Sequence, residues 1–380
     1  MFEIVNNRQI VYGEDKINTI PDTLKWYGKN KVFFVTYDKN AVATLRIVQL
    51  LQNAGINSVI YDCVKGEPDL HVIDNGAKIF TDEKCDCTLA LGGGSVIDVA
   101  KAIGMIALNG GCVEDYQMNG RTPTVTPPLF IAVPTTSGTG AEATKVSVVL
   151  NNNNGLKKSL YHTTMIADIA ILDPSLVVDL PKSITVSTGM DALSHAIESY
   201  VSLNANTISQ MAGLKAIELI NENLEEVIQN PKNIEARGNM MLGSYLGGCA
   251  ITAGIGIAHI MAQPLGALFH IPHGDACSIF LPASMELNLE FATKQYATIA
   301  HALKVASPTK SDKENALAAI ERVKELREKI GAPASLRPYI DTMPSEEELV
   351  DTIKRTTGHI TCNPRPLDEK LMLEIFNMVL

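Results

Sequence analysis

The chain has 380 residues, 46% of them hydrophobic and 19% charged, with a mean hydropathy of +0.09. That is enough apolar chain for two or three domains, and it excludes a disordered or fibrous protein. Acidic residues outnumber basic ones 42 to 32, a formal charge of −10, which speaks against a nucleic-acid or anionic-membrane partner. In the first half, apolar runs rich in strand formers alternate with helical spacing. Strands are predicted at 31–36, 56–62, 87–91 and 129–133, and helices at 40–54, 69–84 and 96–107. This alternation predicts βαβ units and a parallel sheet. Residues 145–150 and 157–161 read as a hairpin around the Asn151–Gly155 tip, and 169–172 as a last strand. From about Pro181 onward the pattern is helical: 190–203, 207–229, 233–252, 256–269, 275–303, 311–330, 345–355 and a terminal helix near 367–379. The expected division is a parallel-sheet domain over 1–181 and an all-helical domain over 182–380.

Other features add little chemistry. No apolar stretch has the length and purity of a membrane span, and the N-terminal residues lack a signal-peptide pattern. The seven scattered cysteines form no disulfide framework, so reduced thiols in a cytoplasmic protein are expected, and the lone Trp26 is expected in the core.

Two loops carry the first functional signal. Residues 89–98 read LALGGGSVID: a buried strand, three glycines and a serine, then a helix. Glycines here let backbone N–H groups approach a ligand, and a helix N-terminus favours an anion such as pyrophosphate. Ser95 and Asp98 have the spacing of a capping box, so a plain strand-to-helix turn also fits. A second loop, VPTTSGTG (133–140), again follows an apolar strand and offers Thr135, Thr136 and Thr139. Two such loops on the carboxyl edge of one sheet point to a dinucleotide site.

The helical half carries the second signal. Asp191 and His195 stand at i, i+4 on one helix, His259 lies on another, and His273 follows in IPHG. One carboxylate and three imidazoles can close around a divalent transition metal. On spacing alone, an Asp–His pair more often marks a simple hydrogen bond, and His259 on an apolar helix also fits a core histidine. No Lys or Arg occurs between Arg237 and Lys294, which favours a small neutral oxygenated substrate over an anionic one.

Taken together, the sequence resembles the iron-containing (group III) alcohol dehydrogenase family. The segments LALGGGSVIDVAKAIG, PTTSGTGAEAT, AILDPSLVVDLP, TGMDALSHAIESY and GIAHIMAQPLGALFHIPHG carry the resemblance, in the family's order and across nearly the whole chain. The resemblance implies a Rossmann-like domain followed by a helical domain, with the active site in the cleft between them. It implies Asp191, His195, His259 and His273 as ligands of Fe2+, with Zn2+ suiting the same set. It implies Gly93, Gly94 and Ser95 at a nicotinamide cofactor's pyrophosphate, with Asp98, Thr135, Thr136, Thr139, Thr144 and Lys157 also at the cofactor. Asp38 would favour NAD over NADP by accepting from the ribose hydroxyls, although Tyr37 shifts the pattern by one. Where the family often has a second histidine after His259, this chain has Gln263, which can hydrogen-bond but not titrate. Proton relay is then expected through water, a cofactor ribose hydroxyl or His270. The implied reaction is NAD(P)-linked alcohol–aldehyde interconversion by a homodimer or larger homo-oligomer. The alternatives are a zinc polyol dehydrogenase of the glycerol-dehydrogenase kind and a reductase of a small anionic aldehyde such as sulfo- or phosphonoacetaldehyde or succinic semialdehyde.

Overall fold

The computed structural model describes residues 2–64, 66–357 and 362–380. It divides into two compact units: Glu3–Thr136 with Ala141–Val178, and Ser137–Gly140 with Asp179–Leu380.

The first unit holds a parallel sheet of β1 (Gln9–Tyr12), β2 (Lys31–Thr36), β3 (Asn57–Tyr61), β4 (Cys87–Gly92), β5 (Leu129–Pro134) and β8 (Ile169–Leu172), ordered β1-β8-β5-β4-β2-β3. Strands β4 and β5 are buried along their whole length, which is why they read as unbroken apolar runs with no alternation. The apolar faces of α1 (Ile20–Trp26) and α2 (Val42–Asn53) cover one side of the sheet. Those of α3 (Leu70–Asp82) and α4 (Gly94–Asn109), with the short α5 (Val113–Gln117), cover the other. Chain order reverses between β2 and β4: β3 lies outside β2, and the chain returns to β2's other side as β4. In open α/β sheets, ligands bind at such a switch point, beyond the carboxyl ends of the strands. The hairpin β6 (Val146–Asn151) and β7 (Leu156–Tyr161) forms a separate two-stranded sheet, turning through Gly155 at φ +72°.

The hairpin is tied to α4 by buried charge. Lys101 Nζ donates to Thr144 Oγ1 (2.9 Å) and the Val146 carbonyl (2.7 Å), and stands 3.4 Å from Asp98. Asp98 Oδ2 accepts from the Val148 amide. Burial lowers the Lys101 pKa and raises that of Asp98, yet each partner supports the other's charge.

The second unit is helical: α6 (Lys182–Val201), α7 (Thr207–Gln229), α8 (Ile234–Ala250), α9 (Ile257–Leu268), α10 (His273–Asn288), α11 (Thr293–Ala302), α12 (Asp312–Ile330), α13 (Glu346–Thr357) and α14 (Glu369–Met378). Helix α6 is buried nearly all round, so its hydrophobic pattern has no polar stripe and it forms the core against which α7, α8 and α10 pack. Among the described residues no single helix is long and apolar enough to cross a membrane.

Several expectations are corrected. The run 275–303 is two helices, broken at 289–292, because Asn288 accepts backbone bonds from Phe291 and Ala292 and turns the chain. Ser95 and Asp98 form no capping box. Helix α4 begins at Gly94 behind an extended Gly93 N-cap with no side-chain cap, and Asp98 points to the hairpin instead. Trp26 is 85% exposed: Ile20 and Leu24 take the inward face of α1, and a residue two places after Leu24 falls on the opposite face. Strand β1 pairs with β8 over Gln9–Tyr12 and stands at the edge of the sheet.

Candidate functional site

Two places in the structure collect the residues singled out by sequence, one in each unit.

In the helical unit, Asp191 and His195 sit one turn apart on α6, His259 in the first turn of α9 and His273 at the first position of α10. Asp191 Oδ1 stands 3.7 Å from His195 Nε2, 3.4 Å from His259 Nε2 and 3.6 Å from His273 Nε2. Ligand atoms around a tetrahedral divalent ion lie about 3.4 Å apart. Among the described residues, four buried side-chain polar atoms lack a hydrogen bond, and three belong to this set: Asp191 Oδ1, His195 Nδ1 and His259 Nε2. Leaving such atoms unsatisfied costs about 1–3 kcal/mol each, so the convergence of Asp191 Oδ1 and His259 Nε2 is the mark of an absent partner that accepts their lone pairs; on His195 it is Nε2 that faces Asp191, and the unsatisfied atom is the other ring nitrogen. Burial pushes His195 down to about 4, so its imidazole is neutral at neutral pH. Burial alone would raise Asp191, but the imidazoles of His195 and His273 outweigh it and hold the carboxyl well below the usual range. The residues present therefore fit a divalent metal: one carboxylate and three imidazoles, of which His259 is raised well above the usual histidine range, against its burial, by Cys277, Glu198 and Asp191, so that a bound cation would displace its Nε2 proton. The His273 side chain is 37% exposed while the other three are nearly closed off, so the centre is reached from the His273 side.

Close backbone packing aims these side chains. A Cβ on Gly274 would collide with the Ser187 carbonyl, so glycine lets the start of α10 press on α6 and carries His273 to Asp191. Glu198, absent from the sequence reading, orients His259. Its Oε2 lies 2.5 Å from His259 Nδ1 and its Oε1 accepts from the Ala258 amide at 2.6 Å. A proton held on Nδ1 leaves the Nε2 lone pair for a metal. A Cβ on Gly256 would stand 3.0 Å from Glu198 Oε1 and 2.8 Å from Asn363 Oδ1, so this glycine admits both groups to the start of α9. The signal was present in the sequence: Asp191, His195 and Glu198 fall at i, i+4 and i+7, one face of a single helix.

Gln263 lies one turn beyond His259 on α9 and is half-buried. His270 is exposed, at φ +55°. There it holds the left-handed position that ends α9 and lets the Ile271 amide bond back to Gly266. Among the described residues neither side chain hydrogen-bonds to the four convergent groups.

In the sheet unit, Gly93, Gly94 and Ser95 follow β4, and Thr135 and Thr136 follow β5 on the same edge. The loops touch: the Thr135 amide donates to the Gly92 carbonyl, and a Cβ on Gly93 would meet Thr136 at 3.4 Å. With no side-chain cap on α4, and with the Val96 and Ile97 amides donating to the Gly93 carbonyl, the Gly94 and Ser95 N–H groups remain for an outside acceptor. Asp38 follows β2 across the switch point, its carboxylate taking the Asn40 amide. The other candidates are engaged within the protein. Asp98 and Thr144 belong to the Lys101 cluster, and Lys157 pairs with Glu67 at 2.5 Å. Thr139 lies in the 137–140 segment that clusters with the helical unit.

A family model for iron-containing alcohol dehydrogenases matches residues 7–174, and one for the C-terminal part of the Fe-containing alcohol dehydrogenase family matches 185–380. The chain belongs to the iron-containing alcohol dehydrogenase family. It is 32% identical to the NAD-dependent methanol dehydrogenase of Bacillus methanolicus over 365 residues, covering 93% of each chain. It is 32% identical over 384 residues to the 1,3-propanediol dehydrogenase of Citrobacter freundii, covering 99% of this chain and 98% of that one. A solved 1,3-propanediol oxidoreductase superposes with a TM-score of 0.94 at 31% identity, each chain covered in full. This dehydrogenase is thus an oxidoreductase of the alcohol class, with the family's parallel-sheet and helical domains.

Proposed function

We propose that this dehydrogenase interconverts small neutral alcohols or diols and their aldehydes, using Fe2+ held by Asp191, His195, His259 and His273 and NAD in preference to NADP. The convergence of three imidazole nitrogens on Asp191 Oδ1, at 3.4–3.7 Å with no hydrogen bond to satisfy it, carries the reading. When bound, the metal supplies Lewis acidity that lowers the alcohol's pKa, and the nicotinamide takes or gives the hydride.

The chain's own residues supply position and charge. Three neutral imidazoles and one carboxylate leave a divalent centre net positive, which suits an alkoxide oxygen. Glu198 keeps His259 in the tautomer that offers Nε2. The first turn of α4, with Gly93, Gly94 and Ser95, is the pyrophosphate seat, and Thr135 and Thr136 border it. Asp38 accepts from ribose hydroxyls and repels a 2′-phosphate. Thr144, Lys157 and Asp98 shape this edge through their internal bonds. Gln263 orients substrate as a hydrogen-bonding group, and the alcohol proton leaves through water or the exposed His270. The interval 238–293, which has no Lys or Arg, and the methanol and propanediol activities named for two relatives both favour a neutral substrate.

The same reading makes the chain a homodimer or larger assembly, with edge strand β1 and its exposed Ile10 and Tyr12 as the pairing segment. It also makes the chain cytoplasmic, in keeping with seven free cysteines. Protein stripped by chelation should lose NADH oxidation with short aldehydes, followed at 340 nm, and regain it with Fe2+. His259→Ala and His273→Ala should lose bound metal and turnover together. Full turnover in metal-free protein would refute the scheme.

A further inference from the structure

Cys277 lies one turn after His273 on α10, so its thiol and that imidazole face the same way. It is fully buried, and its sulfur stands 3.7 Å from His273 Nε2. One ligand atom each from Asp191, His259, His273 and Cys277 all lie within 4.8 Å of one another. Around a tetrahedral ion, a sulfur at about 2.3 Å and a nitrogen at about 2.0 Å are separated by about 3.6 Å. The His273–Cys277 pair has that separation. Two of the atoms the sulfur joins, Asp191 Oδ1 and His259 Nε2, belong to side chains at least nine-tenths buried and have no hydrogen-bond partner. Two four-donor sets therefore share Asp191, His259 and His273. One is closed by the His195 nitrogen, the other by the Cys277 sulfur.

We propose that Cys277 is a metal donor of this centre, closing the set around thiophilic divalent ions such as zinc and cobalt(II), while Fe2+ takes the set closed by His195. The inference rests on the metal-centre reading above. Sulfur donors select softer ions, whereas imidazole and carboxylate serve iron as well. On ligation the metal–sulfur bond forms and the S–H proton leaves to solvent. The zinc form then carries two anionic donors and no net charge, against one positive charge for the iron form. An alkoxide is held less strongly by a neutral centre, so Cys277 makes the dehydrogenase discriminate between metals in turnover as well as in binding.

The test uses the full chain, stripped by chelation and loaded with one equivalent of Zn2+, Co2+ or Fe2+. X-ray absorption of the zinc form should show one sulfur neighbour at about 2.3 Å, absent in Cys277→Ala. The cobalt form should show a near-ultraviolet sulfur-to-metal charge-transfer band that Cys277→Ala abolishes. Competition with a chelator should find zinc affinity reduced at least about tenfold in Cys277→Ala while Fe2+ affinity changes less than about threefold. The near-isosteric Cys277→Ser repeats each measurement if the alanine variant does not fold. One bound zinc with only nitrogen and oxygen neighbours in the native protein would overturn the role of Cys277 and leave the metal centre standing. Failure of the native protein to bind any of the three ions would overturn both.

Discussion

Replacing Glu198 by glutamine isolates the control of one imidazole's tautomer. The carboxylate serves two donors, His259 Nδ1 at 2.5 Å and the Ala258 amide at 2.6 Å. Glutamine has almost the same shape but only one acceptor oxygen. If that oxygen keeps the Ala258 amide, the side-chain NH2 faces Nδ1, which must become an acceptor. The ring proton then moves to Nε2, the nitrogen that stands 3.4 Å from Asp191 Oδ1, and blocks the lone pair a metal needs. If the amide turns over, two N–H groups oppose each other and a buried hydrogen bond is lost, at about 1–3 kcal/mol. The first arrangement is the cheaper, so Glu198→Gln should change metal-free stability by only about 1 kcal/mol. Metal affinity should fall about 10–100-fold, equivalent to about 1.4–2.7 kcal/mol. Denaturant unfolding of stripped protein measures the first quantity and chelator competition with Fe2+ the second. A variant that binds Fe2+ within about twofold of the native protein would show that Glu198 does not set the tautomer.

Other perturbations test separate parts of the structure. Because burial holds His195 at about 4, the unfolded chain binds more protons than the folded one between about pH 6.5 and 4. Stability of the stripped protein, measured as native minus His195→Asn, should therefore fall by about 3 kcal/mol as pH drops through that window, and a flat difference would refute the assignment. Glu142 has the opposite sign: burial raises its carboxyl to about 7, so its contribution is lost as pH rises from about 4.5 to 7. Glu142→Gln should gain on the native protein by about 3 kcal/mol across that range in urea unfolding. Gly274→Ala should destabilise by about 1–3 kcal/mol by forcing α10 away from the Ser187 carbonyl. Because His273 moves with α10, calorimetry should also show weaker metal binding. Asp38→Gly should raise the kcat/KM with NADPH relative to NADH by about tenfold, and an unchanged ratio would remove Asp38 from cofactor choice.

Much of the architecture was legible in the chain because its local signals agree with its packing. Strand β2 spans the predicted 31–36, the helix spacing of 207–229 matches α7, and the asparagine run marks the β6–β7 turn. The signals failed where a tertiary contact overrode them. Residues 275–303 keep helical spacing across a break that Asn288 imposes by accepting two backbone bonds. Trp26 is apolar but belongs to a seven-residue helix whose inward face is already occupied. Asp98 has capping-box spacing but is drawn inward by Lys101 and the Val148 amide, a pairing of α4 with a hairpin nearly fifty residues away.

The site divides in the same way. Net charge, the interval without Lys or Arg and the five collinear segments identified a metal-dependent dehydrogenase of small oxygenated molecules, because the donor types and the family pattern lie in the chain itself. Whether one aspartate and three histidines from three helices share a point is a matter of helix packing. It depends on Gly256 and Gly274 admitting neighbours that any Cβ would displace. Glu198 and Cys277 entered only with the folded coordinates. Each lies at a helical spacing from a known candidate, but spacing says which side a residue faces and not what stands opposite. The acid-rich composition read at the outset excluded partners; the tertiary structure alone placed a buried carboxylate among three imidazoles at the distances a cation's ligands keep.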